Sequence, residues 1–418
     1  MVEQVSSLKT GIKYKDTPIG KIPVDWEVVS LSKISEIKMG QSPPSKDCNE
    51  QGDGFPFYQG NAEFGPKYPS PQKWCSRSKK LADEGDILIS VRAPVGEINI
   101  APDKCSIGRG IAAVKAKGVY DKFLYQSMLL HRIALKKTAQ GSTFEAINRK
   151  ELSELLILLP LLPEQEKIAD ILTTVDDAIE KATQIIEKTK EVKKGLMQKL
   201  FTLGIGHKRF KRTEIGEIPV EWRVCKLGEL CIGQPEYGAN TSAIDKANNL
   251  PRYIRITDIT DDGKLLDSTW QSIEIETARP YILKEGDLVF ARSGATVGKT
   301  YLYREKNGDC AFAGYLIRFK PDQRQLLPQF LFHFTHSSHY YNWVKGMLRA
   351  GAQPNINAKE YSNMKVPKPS IKEQKNIVEI LNAVDEEIQK ESNHKEQLET
   401  LKKGLMQVLL TGKLRVAV

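Results

Sequence analysis

The sequence predicts an α+β fold, with two mixed α/β domains separated by two long helices that form an antiparallel coiled coil. Three observations support this prediction. The chain repeats itself in order, each repeat begins with short strands bounded by turn residues, and each repeat ends in an apolar heptad pattern of about 40 residues. The two copies should therefore be related by a pseudo-two-fold as a tandem repeat.

The duplication is visible in five stretches that recur in the same order. "IGKIPVDWEVVSL" from Ile19 returns as "IGEIPVEWRVCKL" from Ile215, at an offset of 196 residues. An "EGD" strand, an "IN-x-KE" segment, an "EQ" helix start and "KKGLMQ" follow in both copies, and the last offset is 209. We therefore expect a unit of about 200 residues, written twice, with about a dozen residues inserted in the second copy.

The first part of each copy is typical of a mixed α/β domain. Short β-branched runs lie between turn residues and predict strands at "WEVVSL", "DILISV", "EINIA" and "GIAAVKA". The segment 122–137 has the apolar spacing of an amphipathic helix. The predicted domain boundaries are 1–160 for the first domain, 161–205 for the first helix, 206–370 for the second domain, and 371–418 for the second helix and tail.

The second part of each copy predicts a helix about 60 Å long with a heptad seam. One apolar stripe is an incomplete core, so we expect the two helices to pack antiparallel. Because "KYKDTPIG" near the start resembles "RFKRTEIG" after the first helix, the chain's start should lie near the end of its last helix. The seam residues are Ile168, Ile171, Val175, Ala178, Ala182, Ile185, Val192 and Leu196 in the first helix, and Ile377, Ile380, Val384, Ile388, Leu398, Leu401, Leu405 and Val408 in the second.

Composition indicates a globular protein with an anionic partner. The chain has 40% hydrophobic and 27% charged residues, and its net charge is +10 with a pI near 9.0. Such a balance favours nucleic acid as the partner, although a merely basic protein remains open. The six cysteines form no C-x-x-C pair, and no apolar run is long enough for a leader or a membrane span. We expect a soluble, cytoplasmic protein with reduced thiols.

The stretch "ARSGATVGKT" (291–300) resembles a phosphate-binding loop but is one residue short between its glycines. The sister copy has Glu97 where this one has Lys299, and a predicted strand follows Thr300 where a phosphate-binding loop needs a helix. The pattern is that of a β-hairpin turn. We therefore do not expect a nucleotide site in this chain.

Other catalytic patterns are also missing. His333, His336 and His339 invite a metal-site interpretation, but no cysteine or acidic residue is spaced to complete the site. The sequence has no G-x-S-x-G or H-E-x-x-H motif, and its one Pro-Pro pair lacks the context of an adenine methyltransferase motif. We expect a chain that is not itself an enzyme and that holds no cofactor or metal of its own.

The combined motifs resemble the specificity subunit of a type I restriction-modification enzyme over nearly the whole chain. The resemblance rests on the two "IG-x-IP-x-W" openings, the "EGD" strands, the "EQ" helix starts and the "KKGLMQ" helix ends. One departure is that the second copy lacks a proline equivalent to Pro163. The resemblance implies two target recognition domains that read a bipartite, asymmetric DNA target, one half-site each, with a spacer set by the helix pair.

The same resemblance implies partners: two methylation subunits that carry S-adenosylmethionine, and restriction subunits that use ATP and magnesium. The helix pair should face the methylation subunits. The alternative is an adaptor whose two domains grip two protein partners across the coiled coil. That alternative fits the same sequence pattern, and only the net charge and the family resemblance speak against it.

DNA contacts would come from loop residues of both domains. Lysine and arginine would contact phosphates, and polar side chains would read base edges. For each single residue, a solvated surface or turn role remains open. The candidates in the first domain are Gln59, Asn61, Arg77, Lys79, Lys80, Arg92, Arg109, Gln140, Ser142 and Thr143, and those in the second are Arg252, Arg255, Thr257, Arg292, Lys299, Gln353 and Asn355.

Overall fold

Both long helices are divided between two structural units of the chain. The computed structural model describes residues 13–140, 146–348 and 354–417, without the side chains of 133–140. The first unit comprises Met1–Thr183 and Asn393–Val418, and the second comprises Gln184–Ser392. The units divide each helix near its middle, whereas the predicted segments 161–205 and 371–418 each contain one whole helix.

Among the described residues, the first unit carries thirteen strands, three short or medium helices, the first half of one long helix and the last part of another. Its strands are β1 (Tyr14–Thr17), β2 (Gly20–Pro23), β3 (Glu27–Ser30), β4 (Ser35–Met39), β5 (Cys48–Asn49), β6 (Phe55–Tyr58), β7 (Lys73–Cys75), β8 (Leu81–Ala82), β9 (Ile87–Ser90), β10 (Ile98–Ile100), β11 (Cys105–Ile107), β12 (Ile111–Ala116) and β13 (Leu156–Leu159). Its helices are α1 (Leu31–Ile34), α2 (Asp121–Gln140), α3 (Arg149–Ser153) and α4 (Leu162–Thr202), of which α4 continues into the second unit. Short 3₁₀ turns lie at Ser45–Asp47 and Asn61–Glu63.

Two main sheets build the first domain. One has the order β10-β9-β12-β4 and is antiparallel throughout. The other has the order β5-β7-β6-β11-β8, and within it β6 and β11 run parallel. Two further pairs, β1-β2 and β13-β3, complete the domain. A parallel pair needs a long crossover, and the chain from β7 to β10 supplies it here.

The second unit carries the remaining strands and helices. Its strands are β14 (Phe210–Thr213), β15 (Gly216–Pro219), β16 (Arg223–Lys226), β17 (Glu236–Tyr237), β18 (Arg252–Ile254), β19 (Leu288–Ala291), β20 (Thr300–Leu302), β21 (Cys310–Phe312), β22 (Leu316–Phe319) and β23 (Lys365–Lys368). Its helices are α5 (Ile275–Ala278), α6 (Pro328–Phe334), α7 (Ser338–Met347), α8 (Ala358–Ser362) and α9 (Ile371–Leu409), whose last part belongs to the first unit. Short 3₁₀ turns lie at Leu227–Leu230, Ile256–Asp258, Asp267–Thr269, Arg279–Tyr281, Gly294–Thr296 and Glu305–Asn307.

The second domain repeats the topology of the first. Its four-stranded sheet has the order β17-β22-β19-β20, which matches β4-β12-β9-β10. Its parallel pair β18-β21 matches β6-β11, and β16-β23 matches β3-β13. The four strands predicted in the first copy are confirmed as β3, β9, β10 and β12, and the predicted helix is confirmed as α2.

The stretch that resembles a phosphate-binding loop is a hairpin, as predicted. Thr300 begins β20, which pairs antiparallel with β19. The Gly298 N–H donates to Ala291 O at 2.9 Å, and Gly96 N–H donates to Ser90 O at the same distance in the first unit. Both glycines have positive φ, near 90° and 82°, which a side chain would strain. The glycines therefore serve chain reversal.

The two long helices run antiparallel within each unit. In the first unit Ile168 and Leu172 of α4 share a core with Leu409 of α9, and Lys402 Nζ lies 2.6 Å from Asp176 Oδ1. In the second unit the lysine is on α4 and the aspartate on α9, the reverse of the first unit. Lys193 Nζ of α4 lies 2.6 Å from Asp385 Oδ1 of α9. The interface between the two helices thus contains a lysine–aspartate pair in each unit. The antiparallel packing predicted from the heptads is confirmed.

The predicted seam is correct for part of each helix and wrong for the rest. Ile168, Ala182 and Ile377 are buried as predicted. Ile185, Val192, Ile380 and Leu401 are between 37% and 56% exposed, which is wrong for seam residues. The buried line passes instead through Ala169, Leu172, Ile186, Met197 and Leu200 in α4, and through Gln374, Val378, Leu381 and Leu409 in α9. The observed line advances by three or four residues but includes polar members such as Lys193 and Asp385, which an apolar pattern does not detect.

The opening motif of each copy contacts the helix start of the same copy. Trp26 Nε1 donates to Glu164 Oε2 at 2.9 Å, and Trp222 Nε1 donates to Glu373 Oε2 at 2.9 Å. Both tryptophans are buried. These hydrogen bonds fix the first turn of each long helix to its own domain, so the "IP-x-W" and "EQ" motifs act together as a structural anchor.

The "EGD" motif forms the turn before a central strand. Asp86 Oδ2 accepts from Asp83 N–H at 2.9 Å, and Asp287 Oδ2 accepts from Lys284 N–H at 3.0 Å. Burial raises the pKa of both carboxyl groups. The glycine between has positive φ in both copies. The motif is therefore a turn device of the scaffold.

The strand β1 near the start of the chain contacts the segment that follows α9 in the first unit, as the sequence predicted. Tyr14 Oη donates to Gly412 O at 3.4 Å. Arg415, beyond the helix, donates to Asp25 Oδ1 at 2.8 Å and to Glu164 Oε1 at 2.6 Å. The Arg415 guanidinium lowers the pKa of Asp25. The same corner of the second unit has His207, whose ring nitrogens lie 2.8 Å from Glu373 and 3.1 Å from Glu221.

The three clustered histidines do not share one helix. His333 lies on α6, His336 in the following turn, and His339 on α7. His333 Nε2 is 2.9 Å from Asn382 Oδ1, and His336 Nδ1 is 2.8 Å from Phe332 O. Within residues 13–140, 146–348 and 354–417, no group of histidine, cysteine or acidic residues is arranged to hold a metal ion.

The cysteines and the helix hydropathy are described over the same residue ranges. All six cysteines are free thiols. Among the helices that the structure describes, none is long and apolar enough to span a lipid bilayer.

We expect acid to destabilise the second unit through His333. The pKa of His333 is lowered to about 4, mainly by burial and also by the Lys193 charge, while the hydrogen bond to Asn382 and the Asp385 charge oppose this shift. The unfolded chain takes up a proton below about pH 6.5, so stability is present above that pH and is lost as pH falls toward 4. His333→Gln, which copies Gln126 of the first unit, should reduce the loss between pH 7 and pH 5.5 by about 1 kcal/mol.

Urea unfolding at both pH values measures this difference. His336 and His339, whose pKa values are also lowered by burial, should retain part of the acid sensitivity in the variant. Exposed His394 provides the matched control as His394→Gln. An unchanged pH dependence in His333→Gln would contradict the assignment.

Candidate nucleic-acid interface

Loops of the first domain gather at the carboxyl ends of its two parallel strands. The Gly108 N–H donates to Tyr58 O at 2.8 Å, which joins the loop after β11 to the loop after β6. The Gln41 N–H donates to Ile107 O at 2.9 Å, which adds the loop after β4. The Val91 N–H donates to Gly110 O at 2.9 Å and adds the β9–β10 turn. We call this set, residues 40–46, 59–61, 91–96 and 108–110, the first loop junction.

Gln59 and Arg109 meet at the first loop junction. Ser42 Oγ donates to Gln59 Oε1 at 2.9 Å and accepts from Arg109 N–H at 3.3 Å. A Cβ on Gly108 would lie 2.9 Å from the Gln59 Cα, so only glycine allows this approach. The Arg109 side chain is exposed, and Asn61 opens a half-buried 3₁₀ turn beside it. The sequence "GRG" thus presents its arginine outward.

The other basic candidates of the first domain border the same junction. The Ile107 N–H donates to Lys80 O at 3.0 Å, and Ser78 Oγ donates to Ser106 Oγ at 2.7 Å. The side chains of Arg77, Lys79, Lys80 and Arg92 are exposed. Five cationic side chains, counting Arg109, therefore surround the ends of β6 and β11. Such a basic, exposed loop set suits contact with phosphates.

Four candidates cannot be placed. Gln140 ends α2, but its side chain lies outside the described residues, as do Ser142, Thr143 and Gln353 altogether.

The second domain has an equivalent loop junction with the same backbone hydrogen bonds. The Ala313 N–H donates to Ile254 O at 2.9 Å, Ala239 N–H donates to Phe312 O at 2.8 Å, and Arg292 N–H donates to Tyr315 O at 3.0 Å. These match the three hydrogen bonds that define the first junction. Residues 238–240, 255, 292–298 and 313–315 form the second loop junction, in which Arg255 takes the place of Gln59.

Arg252, a candidate for DNA contact, is buried and paired within its own domain. Its side chain is only 6% exposed and lies 3.1 Å from Asp267 Oδ1. It also donates to Leu266 O at 2.6 Å and stacks 4.7 Å from the Trp270 ring. The sequence shows an arginine in a strand but does not reveal a carboxylate fifteen residues away. Arg252 is part of the scaffold.

Arg255 and Thr257 both donate hydrogen bonds to one buried carboxylate, that of Asp258. Arg255 Nη2 donates to Asp258 Oδ1 at 2.9 Å and to Thr269 O at 2.8 Å. Thr257 Oγ1 donates to the same Asp258 Oδ1 at 3.3 Å, although the threonine is exposed. Asp258 is fully buried. Arg255 therefore already has a carboxylate partner within its own loop.

Lys299 bridges two loops of the second domain. Its Nζ donates to Ile259 O at 3.2 Å and lies 2.9 Å from Asp261 Oδ1. Glu97, at the same place in the first unit, pairs with Arg132. This position is acidic in the first unit and basic in the second, and in each unit it pairs with a residue of opposite charge.

We expect Lys299→Glu to change stability slightly and DNA binding little. The new carboxylate would face Asp261, so the free energy of unfolding should fall by at most about 1 kcal/mol. The slope of log affinity against log salt should stay unchanged, whereas loss of a phosphate contact would reduce it by about one. A titration of DNA affinity against salt concentration measures this slope. A reduced slope would show that Lys299 contacts phosphate.

Arg292 and Asn355 come together at the second loop junction. Arg292 Nε donates to Asn355 Oδ1 at 3.3 Å, and its guanidinium stacks 4.9 Å from the Tyr237 ring. Tyr237 and Tyr315, which the sequence analysis missed, are 41% and 61% exposed beside them. Exposed tyrosines are typical of binding surfaces. Their positions next to glycine in "EYGAN" and "AGYL" are the signal that could have identified them.

The comparisons with known proteins agree with this duplicated architecture. Residues 23–191 and 219–400 each match the family model of the type I restriction modification DNA specificity domain. The chain belongs to this family. Its two matches cover both domains and most of both long helices, so the specificity domain occurs here in tandem.

Two archaeal relatives in Methanocaldococcus jannaschii extend the family match. One, described as the MjaX specificity subunit of a type I restriction enzyme, is 44% identical over 193 residues, which are 45% of this chain and 45% of that protein. The MjaVIII specificity subunit is 29% identical over 406 residues, which are 95% of this chain and 94% of that protein. The chain thus spans about half of the first relative and nearly all of the second.

Two solved structures have the same fold. The type I restriction-modification S subunit from M. genitalium superimposes with a TM-score of 0.57 at 16% identity, covering 92% of this chain and 96% of that one. A chain from a structural study of complex assembly and conformational transition in a type I R-M system gives 0.55 at 19% identity, covering 94% and 99%. The tandem α+β fold with two long helices is therefore that of the specificity domain family.

Proposed function

We propose that this chain is the sequence-specific DNA-binding specificity subunit of a type I restriction-modification complex. Each unit would read one half-site of a bipartite, asymmetric target. The observation that carries the proposal is the pair of equivalent loop junctions. They share their backbone hydrogen bonds but present different side chains, and two such surfaces suit two different short sequences.

The division of labour within each junction follows from its side chains. Exposed cations such as Arg77, Lys79 and Lys80 would contact phosphates and set the register. Polar side chains at the centre, among them Gln59 and Asn355, would read base edges. The spacer between half-sites would be set by α4 and α9, because both helices belong to both units.

We also propose that the chain is not itself an enzyme and works in the cytoplasm with partner subunits. Two methylation subunits with S-adenosylmethionine and restriction subunits with ATP and magnesium would supply the chemistry. The relatives' names, which describe specificity subunits of restriction enzymes, support this proposal. The exposed apolar residues Ile185, Val192 and Ile380 of the second unit, and Leu401 of the first, would contact the methylation subunits.

Mapping methylated adenines in host DNA, with and without this gene, tests the function. We expect one bipartite motif with a fixed gap to lose its methylation when the gene is deleted. A plasmid copy should restore the motif. If no motif disappears, the chain is not a specificity subunit in that host, and the adaptor alternative gains support.

A further inference from the structure

One arginine at the second loop junction has no carboxylate partner among the described residues. Arg292 is half-buried and contacts an aromatic ring and an amide oxygen instead. Most other arginines of the domain differ in this respect. Those that pair with a nearby aspartate or glutamate are Arg209, Arg252, Arg255, Arg279, Arg304, Arg318 and Arg324. An oriented arginine without an acid is available to an external acceptor.

The position of the Arg292 guanidinium is fixed from three sides. Its backbone is held on both faces, because Arg292 N–H donates to Tyr315 O at 3.0 Å and Ile356 N–H donates to Arg292 O at 2.8 Å. Tyr237 stacks on the guanidinium, and its own hydroxyl accepts from Ala358 N–H at 3.1 Å. Asn355 Oδ1 holds Nε. In the described part of the chain, neither terminal nitrogen has a hydrogen-bond partner.

The equivalent positions of the first junction carry no such group. Matching backbone hydrogen bonds place Val91 at the position of Arg292 and Gly110 at that of Tyr315. The paired strands place Met39 at the position of Tyr237, and the bridge from Arg92 to Ala146 matches the bridge from Ser293 to Asn355. Scaffold residues such as the anchor tryptophans are the same in both units. A difference at the junction is what two readers of different half-sites require.

We propose that Arg292 is a specificity-determining residue that reads a guanine in the half-site of the second unit. Its two terminal nitrogens would donate to O6 and N7 of the base in the major groove, with Tyr237 and Asn355 as positioning residues. Arginine to guanine is the commonest specific base contact, and it needs a planar fork held in one orientation. A phosphate contact needs charge but not a fixed plane. The inference rests on the proposed function.

The test uses the gene-deletion host complemented with the full-length chain carrying Arg292→Lys, which retains the charge but loses the bidentate fork. We expect the preference for one G·C pair, at one position of one half-site, to fall about tenfold or more. The other half-site and the gap should not change. Exposed Arg212→Gln, on the β14–β15 hairpin of the same unit, is the matched control and should leave the motif intact.

A second variant keeps the test decisive if the first one folds poorly. Asn355→Asp introduces a carboxylate beside Nε, which should hold Arg292 in an ion pair and relax the same position of the motif. An unchanged motif in both variants overturns the proposal. So does an unchanged motif in Arg292→Lys combined with a uniform loss of methylation in Asn355→Asp, because a phosphate contact needs a free charge, which lysine retains and the new ion pair removes. If the wild-type chain itself supports no bipartite motif, the proposed function fails instead.

Discussion

Replacing Glu164 by alanine should lower the free energy of unfolding of the first unit by about 3–5 kcal/mol. The Glu164 side chain is 2% exposed and accepts hydrogen bonds from Trp26 Nε1 at 2.9 Å and Arg415 Nε at 2.6 Å. Pairing with Glu164, and then with Asp25, raises the pKa of Arg415. Without the carboxylate, the Trp26 indole N–H would lose its acceptor and the Arg415 guanidinium would keep only Asp25, in a largely buried site.

Urea unfolding, with hydrogen exchange to localise the effect to the first unit, measures this change. Exposed Glu166→Ala, two residues along the same helix, is the matched control and should cost less than about 1 kcal/mol. Glu164→Gln retains an acceptor for Trp26 but no charge for Arg415, so we expect an intermediate loss. If Glu164→Ala unfolds at the same urea concentration as the control, the anchor has no energetic role.

The duplication made most of the fold predictable. Two sequences that must adopt one fold constrain each other, so strands such as β9 and β19 could be recognised from their shared pattern. The circular relation between the start of the chain and the end of α9 followed from the same comparison. Arg415 shows where this logic stopped, because its two carboxylate partners, Asp25 and Glu164, lie far away in sequence.

The seam was only partly predictable because apolar periodicity cannot follow polar seam residues. Lys193 and Asp385 form an ion pair in the interface. The Lys193 side chain is 21% exposed, and its Nζ lies 2.6 Å from Asp385 Oδ1. Counting apolar residues therefore moved the predicted line onto Val192, which is 56% exposed. The length and apolar pattern of the two segments predicted that both are helices. Which face of each helix is buried depends on ion pairs that are visible only in the packed structure.

The sequence supplied candidate residues for DNA contact but not the contacts that each of them makes within the domain. Arginines of the second domain look alike in sequence, yet Arg252 is buried against Trp270 whereas Arg292 is half-buried at the junction. The distinction depends on Asp267 and Asn355, which lie at different sequence distances from their arginines. Tyr237 and Tyr315 were missed because exposure of an aromatic residue is a property of the folded loop.

Deleting one heptad from each long helix should change the length of the DNA target without changing its half-sites. The helices have 41 and 39 residues. Residues 183–189 of α4 and 392–398 of α9 are related by the repeat offset of 209. Seven residues remove about 10 Å of helix, which corresponds to about three base pairs at 3.4 Å each. Because seven residues are close to two turns, the seam residues on either side stay in register.

Methylation mapping in the complemented deletion host measures the result. We expect loss of methylation at the wild-type motif and a new motif with the same half-sites and a gap shorter by about three base pairs. Deleting the heptad from α4 alone is the control, because the two helices then no longer match in length and no bipartite motif should be methylated. A double deletion that keeps the original gap would show that something other than the helix pair measures the spacer. Changed half-sites would show instead that the helices shape the loop junctions, which the separate anchoring of each domain by Trp26 and Trp222 argues against.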